Sequence, residues 1–239
     1  MEKKLENLKI NIFSDGANIN EIRKMYDNPL IKGFTTNPSL MKKEGVKNYK
    51  NFIQDVINIV KDKPISFEVF ADDDDEIEIQ GRKIASIAKN IYIKIPITNT
   101  KKKFTGKVIK NLLASNIPLN ITAITTLDQI KMVYDLVNCD TPIIFSIFAG
   151  RIADTGVDPI NLINQSIKIT NDKKNIQILW ASTREILNIV QADRAGCHII
   201  TVPNDLLKKL SLIGKNLEGY SLETVKGFYD DALSSGFKI

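Results

Sequence analysis

The segment Ile91-Tyr92-Ile93-Lys94-Ile95-Pro96-Ile97 sets one lysine inside an otherwise apolar run. Isoleucine and tyrosine favour β-strands, and a run this apolar is typical of a strand that is covered on both faces. A buried lysine is costly unless its charge is paired or its pKa falls. A desolvated amine is a nucleophile that forms Schiff bases with carbonyls. A single lysine in such a run more often extends its ammonium group to solvent. The functional interpretation of Lys94 therefore depends on the polar residues of the other strands.

Short apolar runs of the same kind, rich in β-branched and aromatic residues, recur along the chain. They predict eight strands, at residues 10–13, 31–35, 65–70, 91–97, 119–124, 143–148, 176–180 and 198–202. Segments with helical periodicity lie between them, at residues 49–60, 77–88, 107–114, 127–137, 160–169 and 184–192. A last helix is predicted around residues 221–236. Strands that alternate with helices in this way form parallel sheets.

Eight strand–helix units in 239 residues fit the size of a (β/α)8 barrel, the TIM barrel. We therefore predict a single domain over residues 1–239, of the α/β class, with Lys94 on the fourth strand. The alternative is an open doubly wound sheet, whose first strand normally leads into a glycine-rich phosphate turn. Here the first strand leads into Ser14-Asp15-Gly16-Ala17-Asn18, which does not match GxGxxG, and the chain has no Walker A pattern.

Composition and charge exclude several classes of protein. Residues 1–6 carry both charge signs and lead into no long apolar region, so we predict no signal peptide. No apolar stretch approaches the roughly 20 residues that span a bilayer, which predicts a cytoplasmic protein without a membrane partner. The net charge is +5, but the lysines are spread along the chain and their densest cluster, 101–103, has no interleaved aromatic residues. We predict no nucleic-acid partner, whereas a positive field suits an anionic small substrate.

Polar residues lie within or just after the apolar runs. In barrels of this kind, active sites gather at the carboxyl ends of the strands. The polar residues at these ends are Asp15, Thr35, Thr36, Asn37, Glu68, Lys94, Asn120, Thr122, Ser146, Arg151, Ser182 and Arg184. A lysine, two carboxylates and two arginines at one barrel mouth indicate a functional site.

The residue types at this mouth favour a Schiff-base enzyme acting on a phosphorylated sugar or oxo-acid. Lys94 is the candidate nucleophile, and Asp15 and Glu68 are the candidate acid–base groups. Side chains that suit sugar hydroxyl groups are Asn37, Asn120 and Ser146. Side chains that form an anion clamp suited to phosphate are Arg151, Ser182 and Arg184.

Six short motifs follow one another along the chain. They are TTNPS at 35–39, YIKIPIT at 92–98, LNIT at 119–122, SIFAGRI at 146–152, ASTR at 181–184 and ITVP at 200–203. In this order they resemble the motifs of the transaldolases and of the related fructose 6-phosphate aldolases. One tetrapeptide would be a weak match, but the ordered set covers essentially the whole chain.

The resemblance implies a (β/α)8 barrel and a transaldolase reaction of the pentose phosphate pathway. In that scheme Lys94 attacks C2 of a ketose phosphate, either sedoheptulose 7-phosphate or fructose 6-phosphate. Asp15 takes the C4 hydroxyl proton while the C3–C4 bond breaks. Glu68 and Thr122 hold the water that relays protons during Schiff-base formation. The dihydroxyacetone unit on the lysine then passes to an aldose phosphate.

The resemblance also implies binding roles. The three-carbon unit is held by Asn37, Asn120 and Ser146, and the phosphate is bound by Arg151, Ser182 and Arg184. Thr35 and Phe148 complete the predicted substrate-binding set. No metal or organic cofactor is implied. The implied partners are phosphorylated sugars and, because family members are usually oligomers, further copies of the chain.

Two positions distinguish activities within the family. Fructose 6-phosphate aldolases, which release free dihydroxyacetone, typically have Gln at the position of Glu68 and Tyr at that of Phe148, so this chain resembles the transaldolases more closely. An aldolase of that type, or a biosynthetic sugar-phosphate aldolase, remains the alternative because Ile147 and Trp180 depart from the usual pattern. A non-catalytic sugar-phosphate-binding protein is a third hypothesis, and the intact set of acid–base residues argues against it.

Overall fold

The computed structural model describes residues 5–238, and within this range eight parallel strands close into one barrel in sequence order. The strands are β1 (Asn11–Asp15), β2 (Ile31–Thr35), β3 (Ile65–Glu68), β4 (Ile91–Pro96), β5 (Leu119–Ile124), β6 (Ile143–Ile147), β7 (Ile176–Trp180) and β8 (Ile199–Pro203). The predicted (β/α)8 barrel is confirmed, with Lys94 on β4. The prediction about residues 1–6 and the predicted domain limits fall partly on residues 1–4 and 239, which lie outside the described residues.

Eleven α-helices connect and follow the strands in the described part of the chain. They are α1 (Ile19–Tyr26), α2 (Pro38–Lys43), α3 (Tyr49–Ile59), α4 (Asp74–Ala85), α5 (Gly106–Ala114), α6 (Leu127–Tyr134), α7 (Ala149–Ala153), α8 (Ile160–Thr170), α9 (Leu187–Arg194), α10 (Asn204–Leu207) and α11 (Leu217–Ser234). Between residues 5 and 238, none of them is both long and apolar enough to cross a bilayer.

The helices α1, α2, α7 and α10 are not among those predicted from the sequence. The last three have only four to six residues, which span too few turns to show a hydrophobic period. Side-chain caps start two of them, with Asn18 preceding α1 and Asn37 preceding α2. The helix predicted at 184–192 begins only at Leu187, because Asn188 accepts the backbone N–H groups of residues 184 and 185 in a preceding turn. Strand β1 extends to Asp15, so this residue lies in the strand and not after it.

Side chains alternate along the strands between the outside and the inside of the barrel. On the outside, aliphatic residues such as Ile93, Ile121 and Ile147 pack with helix residues in one large buried cluster. On the inside, a smaller cluster consists of Phe13, Ile144, Leu179, Ala181 and Ile199. Burial of each large aliphatic side chain in these clusters stabilises the folded state by about 1.5–3 kcal/mol. Toward the carboxyl ends of the strands, inward residues such as Asp15, Glu68 and Lys94 are charged and line a cavity.

Helix α11 differs from the other long helices because none of its residues is buried. It begins at Leu217, four residues before the predicted start, since the side chain of Asn216 accepts the N–H of Gly219. Its exposed apolar side chains are Leu217, Tyr220, Leu222, Val225, Phe228, Tyr229 and Leu233. The helix therefore does not pack on its own barrel.

Gly33 on β2 provides a test of interior packing, because it faces the ring of Phe13. A Cβ atom at position 33 would lie 2.5 Å from Phe13 Cζ. We expect Gly33→Ala to lower the free energy of unfolding by about 1–3 kcal/mol, as overpacking does. Urea denaturation followed by circular dichroism measures the change.

The matched control is Gly227→Ala on α11, where an added Cβ meets nothing within 4 Å. Alanine is the better helix former, so this variant should unfold at the same or a slightly higher urea concentration. Similar losses in both variants would show that contact with Phe13 is not the cause.

Candidate active site

A cavity of about 480 Å³ opens at the carboxyl end of the barrel. Eleven of the twelve predicted site residues line it: Asp15, Thr35, Asn37, Glu68, Lys94, Thr122, Ser146, Phe148, Arg151, Ser182 and Arg184. The twelfth, Asn120, is fully buried and meets the cavity through its hydrogen bond with Ser146. The fold therefore brings together residues that come from seven strands and the segments after them.

Lys94 and Glu68 form an ion pair inside the barrel. They are register partners on β4 and β3, and Lys94 Nζ lies 3.0 Å from Glu68 Oε2. The amine also donates to the carbonyl oxygen of Thr36 at 3.0 Å. The side chain of Lys94 is only 8% exposed, so its charge is paired as burial demands. An amine must lose a proton before it attacks a carbonyl, and Glu68 is placed to accept that proton.

Asp15 lies at the inward-facing end of β1, with its carboxylate directed at the same cavity. Thr35 Oγ1 donates to Asp15 Oδ1 at 2.7 Å. Burial raises the pKa of Asp15, while the charge of Lys94 and the hydrogen bond from Thr35 oppose this rise and the charge of Glu68 adds to it. Asp15 therefore keeps its proton to a higher pH than an exposed aspartate, as suits a general acid–base group.

A line of neutral hydrogen bonds crosses β6, β5 and β3. Ser146 Oγ donates to Asn120 Oδ1 at 2.6 Å, and Asn120 Nδ2 donates to Ser66 Oγ at 2.9 Å. All three side chains are buried, and these bonds fix the rotamer of the amide. Ser66 is not among the predicted site residues, although it occupies the inward position before Glu68 on β3.

The hydroxyl group of Thr122 is buried and has no hydrogen-bond partner among the described residues. An unpaired buried hydroxyl costs free energy, and such groups often mark functional sites. The next residue, Ala123, has a φ of +61°, and the β5–β6 register shifts there. This bulge ends the regular pairing just beyond Thr122.

Asn37 and Phe148 reach the cavity from segments that follow β2 and β6. Asn37 Oδ1 accepts the N–H of Leu40 at 3.0 Å as the N-cap of α2, so its amide nitrogen is the group that can donate to a ligand. Phe148 precedes α7 and packs partly against the inner apolar cluster. These positions are compatible with the predicted substrate contacts of both residues.

Two arginines stand at the rim of the cavity. Arg184 binds Asp154 through two contacts, Nη2 to Oδ2 at 2.5 Å and Nε to Oδ1 at 3.2 Å. This pair raises the pKa of Arg184 and lowers that of Asp154. The remaining N–H groups of Arg184, with those of Arg151, can donate to an anion. No role is predicted for Asp154 opposite Arg184, because only the fold brings the two segments together.

Gly150 allows the two arginine segments to meet. A Cβ atom at this position would lie 1.6 Å from the carbonyl oxygen of Ser182. Ser182 itself has a φ of +63°, in the left-handed region. Only glycine permits this approach, which places Arg151 of α7 beside the loop that carries Arg184.

Thr201 is a cavity-lining residue that the sequence does not predict as part of the site. It lies on the inward face of β8, and its hydroxyl oxygen is 2.5 Å from that of Thr35. Thr183 Oγ1 donates to the carbonyl oxygen of Thr201 at 2.7 Å. A polar residue inside the eighth apolar run is the sequence signal that could have identified Thr201.

The acidic run at residues 72–76 serves helix α4. Asp73 caps the helix, Asp74 binds Lys103 at 2.5 Å and Asp75 binds Lys107 at 2.9 Å. Among residues 5–238, no group of three or more His, Cys, Asp or Glu side chains is arranged to hold a metal ion. The run is thus explained by a helix start and its ion pairs.

Residues 12–235 match the family model described as Transaldolase/Fructose-6-phosphate aldolase. The chain belongs to this family. A "Probable transaldolase" of Clostridium kluyveri is 36% identical over 200 residues, which cover 83% of this chain and 88% of that protein. Another "Probable transaldolase", from a Thermoanaerobacter species, is 33% identical over 228 residues, or 95% and 99% of the two chains.

A solved structure with a similar barrel is that of 2,3-dimethylmalate lyase, a member of the PEP mutase/isocitrate lyase superfamily. Its TM-score is 0.54 at 10% identity, over 98% of this chain and 86% of that one, which shows the shared fold alone. The transaldolase/fructose-6-phosphate aldolase family and the names of the relatives indicate an enzyme of the transaldolase type.

The raised pKa of Asp15 in this family member predicts how stability depends on pH. A carboxyl group whose pKa is higher in the folded state than in the unfolded state stabilises the fold below its ordinary pKa. That contribution is lost as the pH rises through the raised value. At neutral pH, which lies above the ordinary pKa, this carboxyl group therefore opposes folding, and we expect Asp15→Asn to raise the melting temperature by a few degrees. The gain should shrink as the pH falls toward 4, as thermal scans by circular dichroism would measure.

Asp62 gives a control of opposite sign, because the hydrogen bond from Tyr26 lowers the pKa of this exposed carboxyl group. Asp62→Asn should lose stability at neutral pH and lose little in acid. A lower melting temperature for Asp15→Asn at neutral pH would contradict the stability cost assigned to the Asp15 carboxyl group.

Proposed function

We propose that this protein is a transaldolase that transfers a dihydroxyacetone unit between sugar phosphates through a Schiff base on Lys94. The supporting observation is the buried amine of Lys94, held 3.0 Å from a carboxylate in a cavity whose rim carries two arginines. The proposed donor is sedoheptulose 7-phosphate or fructose 6-phosphate, and the acceptor is an aldose phosphate. The proposed setting is the pentose phosphate pathway.

The first step is attack of Lys94 Nζ on the C2 carbonyl of the ketose. Glu68 accepts the proton that the amine loses. The carbinolamine then loses its hydroxyl group as water, which gives an iminium ion. The unpaired hydroxyl of Thr122 supports this step, because it can position the water that carries protons to and from Glu68. No residue outside the cavity is needed.

The second step breaks the C3–C4 bond. Asp15 takes the proton of the C4 hydroxyl and C4 becomes an aldehyde carbon. The electrons of the C3–C4 bond form the C2–C3 double bond of an enamine, and the iminium nitrogen regains its lone pair. The aldose phosphate leaves, and the enamine attacks the aldehyde carbon of the acceptor as Asp15 returns the proton. Hydrolysis of the new iminium frees Lys94. The shifted pKa of Asp15 supports this alternation between acid and base.

The two ends of the cavity have different proposed binding roles. Asn37 and Ser146 contact the three-carbon unit, and Asn120 holds the hydroxyl of Ser146 in place. Arg151, Ser182 and Arg184 bind the phosphate at the rim. Placing the phosphate at the exposed end fits its strong hydration, whereas the reacting carbon atoms lie where water is restricted.

An aldolase that releases free dihydroxyacetone is the second candidate, because the family description covers both activities. Glu68 and Phe148 favour transfer, since the related aldolases typically have Gln and Tyr at these positions. Retaining the enamine until an acceptor arrives is the physical difference between the two activities. A biosynthetic sugar-phosphate aldolase would share the Lys94 chemistry and differ in its acceptor.

We also propose that the protein forms a homo-oligomer in which α11 packs against a second copy of the chain. Its apolar side chains are exposed along the whole helix, more than a stable monomer usually shows to solvent. The helix carries four acidic residues and one lysine, whereas the chain as a whole has a net charge of +5. The acidic helix is therefore electrostatically suited to a second copy of the chain, whose net charge is positive.

Light scattering coupled to size exclusion would test this assembly. Wild-type protein should have a mass of at least twice the 26.8 kDa of one chain, and Phe228→Glu on α11 should reduce it. The matched control is Ile79→Glu, which changes an exposed apolar residue of α4 and should leave the mass unchanged. A wild-type monomer would refute the assembly.

Borohydride trapping tests the central chemistry. With fructose 6-phosphate, we expect a reduced three-carbon adduct on Lys94, identified by peptide mass spectrometry. Added erythrose 4-phosphate should remove the adduct while sedoheptulose 7-phosphate appears. Lys94→Met should abolish trapping, because no other amine lies against the carboxylate in this cavity among the described residues.

The matched control is Lys32→Met, which removes an exposed lysine from β2 and should trap normally. An adduct on another lysine would refute the assignment of Lys94. An adduct on Lys94 with release of free dihydroxyacetone and no transfer product would favour the aldolase.

A further inference from the structure

Three buried threonines connect the loop after β7 with the carboxylate of Asp15. Thr183 Oγ1 donates to the carbonyl oxygen of Thr201, whose hydroxyl oxygen is 2.5 Å from that of Thr35. Thr35 Oγ1 in turn donates to Asp15 Oδ1 at 2.7 Å. Each threonine is 5% exposed or less. We call Thr183, Thr201 and Thr35 the threonine chain.

The direction of the hydrogen bonds in this chain is fixed by counting protons. A hydroxyl group has one proton to donate, and an ionised carboxylate can only accept. Thr35 gives its proton to Asp15, so at the contact with Thr201 it must accept. Thr201 therefore donates to Thr35, and both protons point toward Asp15.

The bond that Thr35 accepts from Thr201 strengthens the bond that Thr35 donates to Asp15, because a hydroxyl that accepts a hydrogen bond becomes a better donor. The benefit falls on the ionised form of Asp15. The groups that face this carboxylate are Lys94 from β4, Glu68 from β3 and Thr35 from β2, and Thr201 of β8 acts through Thr35. Desolvation and the charge of Glu68 disfavour the ionised form of Asp15, so the hydrogen bonds from Thr35 and Thr201 are needed to stabilise it.

We propose that Thr201 is a positioning residue that keeps Asp15 ionised and oriented for proton transfer. This inference rests on the proposed function, in which Asp15 is the general base at the C4 hydroxyl. Thr201 touches no reacting atom in this assignment. It acts by fixing the hydroxyl of Thr35, whose only proton is already committed to the carboxylate.

The threonine chain also joins the two ends of the cavity. Thr183 lies between Ser182 and Arg184, and its bond to the carbonyl oxygen of Thr201 holds β8 against the loop at the arginine rim. The segment that binds phosphate in the proposed function is thus attached to the residue that orients the base. Simple packing of a buried threonine would not predict any effect on proton transfer.

The test compares Thr201→Val with Thr201→Ser in the dependence of kcat/KM on pH, using fructose 6-phosphate and erythrose 4-phosphate. Valine keeps the shape but cannot donate, so the ionised form of Asp15 loses support. We expect the acid limb to move to higher pH, with kcat/KM lowered about twofold to tenfold at acid pH, the range for one hydrogen bond. The loss should be smaller on the alkaline side, and serine should restore the wild-type profile.

Thr141→Val is the matched control, because Thr141 is also buried and its hydroxyl bonds a backbone carbonyl away from the cavity. It should leave the acid limb in place. If Thr201→Val has the same profile as the wild type, or if serine fails to restore it, the assignment of Thr201 is wrong.

A parallel measurement separates this failure from failure of the proposed function. Dihydroxyacetone with borohydride labels Lys94 without any need for C3–C4 cleavage, so wild type and Thr201→Val should trap equally. No adduct on wild-type Lys94 would overturn both the function and the role of Thr201. An adduct with coincident pH profiles would overturn the role of Thr201 alone.

Discussion

The ammonium group of Lys94 can lie inside the barrel only because Glu68 meets it at 3.0 Å from the neighbouring strand. Removing one partner of a buried ion pair leaves an uncompensated charge, at a cost of about 3–5 kcal/mol. The register of β3 and β4 is thereby tied to the chemistry, since a slip of one residue in either strand would turn its charged side chain outward. The other cavity residues are arranged around this pair.

The two ends of the barrel have different energetic roles. Toward the amino ends of the strands and in the outer layer, isoleucine, leucine and phenylalanine side chains are fully buried and supply most of the stability. At the carboxyl end the chain accepts local costs: a half-buried, partly desolvated carboxylate at Asp15, an unpaired hydroxyl at Thr122 and left-handed backbone at Ala123 and Ser182. Such costs persist where the surrounding structure is rigid enough to impose them, and they are typical of functional sites.

Charge is distributed between the interior and the rim according to hydration. The interior carries single, directional groups that exchange protons, and the rim carries permanent positive charge on Arg151 and Arg184. The pairing of Arg184 with Asp154 orients the guanidinium group while it stays about half exposed, so an incoming anion need not be fully desolvated. This arrangement suits a substrate with one highly charged end and one reactive carbonyl.

Much of the fold and of the site could be predicted from the sequence. The barrel could be predicted from the eight apolar runs and the helical periods between them, because strand and helix periods are local properties. Lys94 could be placed on the fourth strand because it lies within the fourth run. Most of the residues that line the cavity could be predicted from the polar residues at the strand ends. Short helices such as α2 and α7 could not be predicted, since capping and loop contacts define them more than periodicity does.

The sequence by itself therefore determined the barrel, the family and the residues that gather at one mouth, because each depends on side-chain pattern along the chain. Only the tertiary structure decided which of these residues contact one another across the barrel mouth. Thr201 meets Thr35 across a separation of 166 residues, Arg184 turns to Asp154, and Gly150 admits the carbonyl of Ser182. These contacts depend on barrel closure and strand register, which bring distant segments within hydrogen-bond distance and leave no trace in local spacing.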